Sequence, residues 1–239
     1  MYVEAFGHML NYNHEQAIAC FTKCAELDEN CAMAWWGIAY CLSSSYNWSA
    51  GLGPGYDAIS QAVALKDHCS ELEQDLIMAL SKRHTKEARD NANPAALNMG
   101  NSPELNQAFA DAMAPLYEKY KGNLDVTAIY VEALMNLNPW TLWNKDAASG
   151  EITPVDDSTL MLIKIMEDAF ENVPGAKEHP ALCHLYCHAL ELSPYPERAL
   201  PAADVLRTLM PGCGHLVHMP SHIDAVSYTH LRAHETPAN

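Results

Sequence analysis

The stretch HPALCHLYCHALELSPYPERALPAADVLRTLMPGCGHLVHMPSH, residues 179 to 222, holds half of the chain's twelve histidines. Side chains four residues apart lie one above the other on a helix. In HLYCHALE that spacing puts His184, His188 and Glu191 on one stripe, and in HLVHMPSH it puts His215, His218 and His222 on another. His184 and His218 are 34 residues apart, as are His188 and His222. If 34 residues is the step of a structural repeat, the stripes come side by side on helices roughly 8–10 Å apart.

Crowded neutral imidazoles suit a divalent transition metal, with zinc, copper, iron and nickel all compatible with nitrogen-rich sites. The candidate ligands are His184, His188, His215, His218 and His222. Glu191 is either a further ligand or the partner that fixes an imidazole tautomer. An open position on such an ion would activate water, so a metal-dependent enzyme is one reading. Two others stay open: contact with a peptide or small ligand, and packing of histidines with one satisfied hydrogen bond. HLYCH has no glutamate after its first histidine, unlike the zinc-protease pattern. Pro220 can start or kink the last helix and shift His222 off its stripe. His179 reads as part of the loop entering the first histidine helix. His8, His14, His68 and His84 are isolated, as surface or core residues. GLGPG has no following Lys-Ser/Thr to cradle phosphate, no nucleophile-elbow serine occurs, and the cysteines lack paired CxxC spacing.

The elements that must position these residues are helical. Apolar positions in NHEQAIACFTKCAELDEN, with Asn13 as a cap, and in CAMAWWGIAYCL follow the helical period. So do GYDAISQAVALK, ELEQDLIMALSKRH, ELNQAFADAMAPLYEKY, LDVTAIYVEALMNL and DDSTLMLIKIMEDAFENV, then PALCHLYCHALEL, YPERALPAADVLRTLM and GHLVHMPSHI. No stretch alternates with the period of a strand. The expectation is an all-α chain of short antiparallel helix pairs.

The 239 residues carry a formal charge of −16 and a pI near 5.0, a field that repels nucleic acid and anionic membranes. No apolar run is long enough to span a bilayer, and MYVEAFGHML lacks the pattern of a signal peptide. The eight cysteines fall mostly inside apolar helical patterns and read as reduced, which with the missing leader suggests a cytoplasmic protein.

From Ala17 and again from Ala199, small residues and the next helix's packing face lie 18 residues apart. This resembles the tetratricopeptide repeat, a 34-residue helix pair with small residues where the two helices touch. AELDENCAMAWWGIAYCLSSSYN, AIYVEALMNLNPWTLW and the histidine block together resemble one group of tetratricopeptide-repeat proteins over about residues 4 to 223. The resemblance implies an α-solenoid, one continuous domain over 1–223 with irregular insertions near 46–55 and 85–103. It also implies a concave groove that recognises a protein or peptide partner, or a small ligand. Met33, Trp36 and Tyr40 would line that groove together with Glu191 and the histidines, with Trp35 and Trp36 as packed core the alternative, while Trp140 and Trp143 read as core. Relatives in that group continue past HLVHMPSH, whereas DAVSYTHLRAHETPAN, residues 224–239, does not continue the repeat and resembles translated sequencing-adapter read-through. The expectation is a solenoid truncated at its C-terminal end.

Overall fold

The computed structural model describes residues 1–47, 53–91 and 102–235. The chain is mostly helical and falls into two compact units, 1–137 and 138–239. Half of the insertion expected at 46–55, residues 48–52, lies outside the described residues. The one at 85–103 contributes a short helix before residue 92 and the start of α7, and its residues 92–101 lie outside them.

The first unit contains α1 (Tyr2–Leu10), α2 (His14–Leu27), α3 (Ala32–Cys41), α4 (Pro54–Leu65), α5 (Glu71–Leu80), α6 (Lys86–Asp90), α7 (Pro103–Lys119) and α8 (Leu124–Met135). Their starts follow local chemistry. Ser70 and Glu73 form a reciprocal capping box at α5. Thr85, Ser102 and Asn123 accept a backbone N–H at α6, α7 and α8. Asn13 stands at the expected N-cap position of α2, but its side chain makes no capping hydrogen bond to that helix. Helix α1 adds to the elements read from the sequence; it packs on α2 and buries Ala5 and Met9. Phe21, Trp36, Ile59, Ile77 and Leu80 fill the core. Where α2 meets α3, a Cβ at Gly37 would lie 2.4 Å from the Phe21 ring, so only glycine permits that approach.

The second unit begins with a small antiparallel hairpin, β1 (Trp143–Lys145) and β2 (Ile152–Pro154), in the register Trp143 opposite Pro154. Three-residue strands are too short to show alternation, which is why the sequence pattern does not reveal them. Asp146 accepts from the backbone of Ala148 and Ser149 in the connecting turn, and Gly150 supplies its positive φ. The hairpin braces the helix behind it, because the Trp143 indole N–H donates to the Ala189 carbonyl at 2.7 Å. Then come α9 (Asp157–Asn172), α10 (Pro180–Leu190), α11 (Leu200–Leu209), α12 (Gly214–His218) and α13 (Pro220–Glu235). Leu162, Met166, Leu182, Leu190, Leu206, Leu216, Met219 and Ile223 are all fully buried. Helix α13 runs across Ile223 without a break, and Asp224 pairs with Arg207 of α11 at 2.7 Å. Among the described residues no helix is long and apolar enough to cross a membrane.

Candidate metal centre

Helix α10 is built to hold histidines still. Pro180 supplies a first-turn residue that needs no N–H partner. His179 caps the helix, its Nδ1 accepting from the Leu182 N–H at 3.3 Å. Every residue from Ala181 to Leu190 is buried, including His184 at 0 % exposure and His188 at 3 %. Facing it, Leu216, Met219 and Ile223 each follow a histidine by one residue and are buried. Anchoring these three fixes the direction of His215, His218 and His222.

The imidazoles do converge. His184 Nε2 lies 2.9 Å from His215 Nε2. Glu191, at the C-terminal end of α10, meets His188 Nδ1 with Oε1 at 2.8 Å and His222 Nδ1 with Oε2 at 2.6 Å. His222 Nε2 in turn lies 2.9 Å from His218 Nε2. The His188 and His222 rings are 5.8 Å apart and the His184 and His188 rings 4.7 Å.

The 34-residue step holds for only one of the two expected pairs. His188 neighbours His222, but His184 meets His215 rather than His218, and the polar contacts between the helices link residues 31 apart. Pro220 has no N–H to extend α12, which stops at His218, and α13 starts anew. The second histidine stripe therefore rides on two helices rather than one. Its outer end, His218, is exposed, whereas His215 and His222 are half-buried.

Two sets bring potential ligand atoms within 4.8 Å of one another: His184, His188 and His215, and His188, Glu191 and His222. Burial alone would push the Glu191 carboxyl up, but its hydrogen bonds to His188 and His222 outweigh that and hold it below the usual range. An ionised carboxylate only accepts, so Nδ1 of His188 and of His222 each carries a hydrogen, and in the neutral ring Nε2 is then the nitrogen with the lone pair. Burial, reinforced by the neighbouring imidazoles His188, His215 and His222, holds His184 well below the ordinary histidine range, in the neutral form a metal requires. On the other side of α10, Cys183 donates to the Lys177 carbonyl at 3.2 Å, and burial pushes its thiol up to about 12. Cys187 is pushed up for the same reason. Neither offers a thiolate. Cys183 instead floors a separate cleft of about 460 Å³ with Phe170, Tyr186 and Arg198.

Met33, Trp36 and Tyr40 belong to the first unit, and there the groove expectation needs correction. All three are buried; the Trp36 indole donates to the Leu76 carbonyl at 3.1 Å and the Tyr40 hydroxyl to Glu132 at 2.5 Å. They pack the interior because apolar residues occupy nearly every side of α3. Trp140 corrects the sequence reading in the other direction. It is 52 % exposed, with its ring edge-on to His188 at 5.6 Å. It also holds a left-handed backbone, φ 63°, costing about 1–2 kcal/mol for a residue with a Cβ. The histidine spacing carries no hint of it, since it arrives from a loop before the hairpin. A further set, Glu4, His8 and Cys20, is assembled by α1 and α2, with Glu4 exposed. No protein-family model matches this chain, and neither does any curated protein or solved structure.

Proposed function

We propose that this chain is a helical-repeat protein of tetratricopeptide type, its helix pairs stacked as in a solenoid, whose second unit holds a divalent transition-metal ion. His184, His188 and His215 are the ligands, and Glu191 orients His188 through Nδ1. The observation that carries this reading is the convergence of three imidazoles from α10 and α12, one of them, His188, held by a carboxylate that fixes which of its nitrogens faces inward. A carboxylate behind a ligating histidine is a recurrent way to orient the ring and raise its basicity. Three imidazoles leave a four-coordinate ion one position for water or a small ligand.

Protein made without a histidine tag, stripped with a chelator and equilibrated with cobalt or zinc, tests it. The wild type should keep about one tightly held equivalent, and the His184→Ala/His215→Ala double variant should lose it. Bound cobalt should quench Trp140, whose ring touches His188, and the Trp140→Phe variant identifies that signal. No retained metal, or retention unchanged in the double variant, would overturn the reading.

A further inference from the structure

His218 belongs to neither three-ligand set, yet its Nε2 sits 2.9 Å from that of His222. The partners on the far side of each ring assign the protons. The Ser221 hydroxyl donates to the His218 carbonyl at 2.7 Å. Its only proton is thus engaged, so at 3.3 Å from His218 Nδ1 its oxygen accepts, and Nδ1 carries the hydrogen. On His222, Nδ1 gives its hydrogen to Glu191 at 2.6 Å. With both rings neutral, both Nε2 atoms therefore present lone pairs to each other. Two lone pairs at that separation repel unless they share a proton or both bind a metal ion seated beside the line that joins them.

Burial is graded along the same line. His218 is exposed, His222 half-buried, and His188 and His184 are enclosed. Glu191 ties the ends together, because its two oxygens hold one imidazole of the outer pair and one of the inner set. An ion that arrives at His218 and His222 is then one carboxylate away from the buried ligands.

Resting on the metal reading above, we propose that His218 and His222 form an outer entry site that captures a divalent ion from solvent and passes it to His184, His188 and His215. Two imidazoles and water hold an ion weakly enough to release it; three imidazoles in a buried pocket retain it. Ser221 is a positioning residue, setting the His218 tautomer.

Rapid mixing of the metal-free full chain with cobalt, read by Trp140 quenching, tests the proposal alongside an equilibrium cobalt titration. The wild type should bind a tight equivalent and a second at least tenfold weaker. His218→Ala, at an exposed position, should lose the weak equivalent, keep the tight one at saturation and load it at least fivefold more slowly. Ser221→Ala should slow loading in the same direction but less. Loading within twofold of wild type in His218→Ala, with no weak equivalent in either protein, would mean that only a proton bridges the outer pair and would overturn the entry site while sparing the buried one. Loss of the tight equivalent in His218→Ala would overturn it too, by making all the histidines one site. Absence of any binding by the wild type would instead remove the metal reading itself, and the entry site with it.

Discussion

Each unit contains a carboxylate gripped by side chains from distant parts of the chain, and the two are used in opposite ways. In the first unit Glu132, 7 % exposed, accepts from the Tyr12 hydroxyl at 3.0 Å, the Tyr40 hydroxyl at 2.5 Å and the Tyr46 N–H at 3.4 Å. In the second, Glu191 accepts from two imidazoles. A tyrosine that donates to a carboxylate has spent its one proton. An imidazole that donates through Nδ1 still has Nε2, with a lone pair now aimed elsewhere. Around Glu132 the donors end in the protein, and the network holds α3 and α8 together. Around Glu191 the donors point onward, and the network prepares a site. Burial and the Glu132 charge push both tyrosine hydroxyls far up, so they remain protonated donors. One design principle separates them: the chemistry of the donor's second atom decides whether a buried carboxylate is structural or preparatory.

The sharpest way to break this comparison is to remove each carboxylate. Glu132→Ala strands two buried hydroxyls and should cost about 3–4 kcal/mol in urea unfolding, with the metal content unchanged. A loss below about 1 kcal/mol would make the Glu132 network incidental to the fold.

Acid titration probes the closed side next. His84 lies 2.7 Å from the Ser43 hydroxyl, and burial together with the nearby Arg83 charge lowers it to about 4. Unfolded, it titrates near 6.5, so between those values the unfolded chain binds the extra proton and the folded chain does not. Stability should therefore fall as pH drops from about 6.5 to about 4, by about 3 kcal/mol from this group, and His84→Gln should flatten that slope. Equal slopes in both proteins would refute the assignment.

On the open side Glu191→Gln should weaken cobalt binding about tenfold to a hundredfold, since the amide no longer demands Nδ1–H from both rings. Its effect on unfolding should stay within about 1 kcal/mol, because the amide keeps the shape of the side chain and can still hydrogen-bond both rings. Stability lost without any change in affinity would turn Glu191 into a second Glu132.

The smallest expected effect is at Trp140. Trp140→Gly removes an exposed ring but also relieves a left-handed backbone, so the net change in stability should be within about 1 kcal/mol. A larger loss would show that the indole is core to the unit rather than a cover beside His188.

Much of this was legible beforehand. The helices from Asn13 to Met135 other than α6, and those carrying the histidines, follow from apolar spacing, because that signal is local; the caps Ser70, Ser102 and Asn123 came only with the structure. The hairpin was not legible, its strands being too short to show a period, whereas α1 carries the helical spacing in Ala5 and Met9 and was still not among the helices read from the sequence. The histidine stripes were legible as stripes. Their pairing was not, since His184 against His215 depends on where Pro220 interrupts the ladder and how the next helix resumes.

By itself the sequence determined the helical class and the presence of two imidazole stripes with Glu191 on one of them, because side-chain spacing on a helix follows from backbone geometry alone. Only the tertiary structure decided that Trp36 and Tyr40 are interior, that Trp140 reaches His188, and that Glu191 clamps both stripes. Those outcomes depend on which surfaces bury which others, a choice made by packing between segments far apart in the chain.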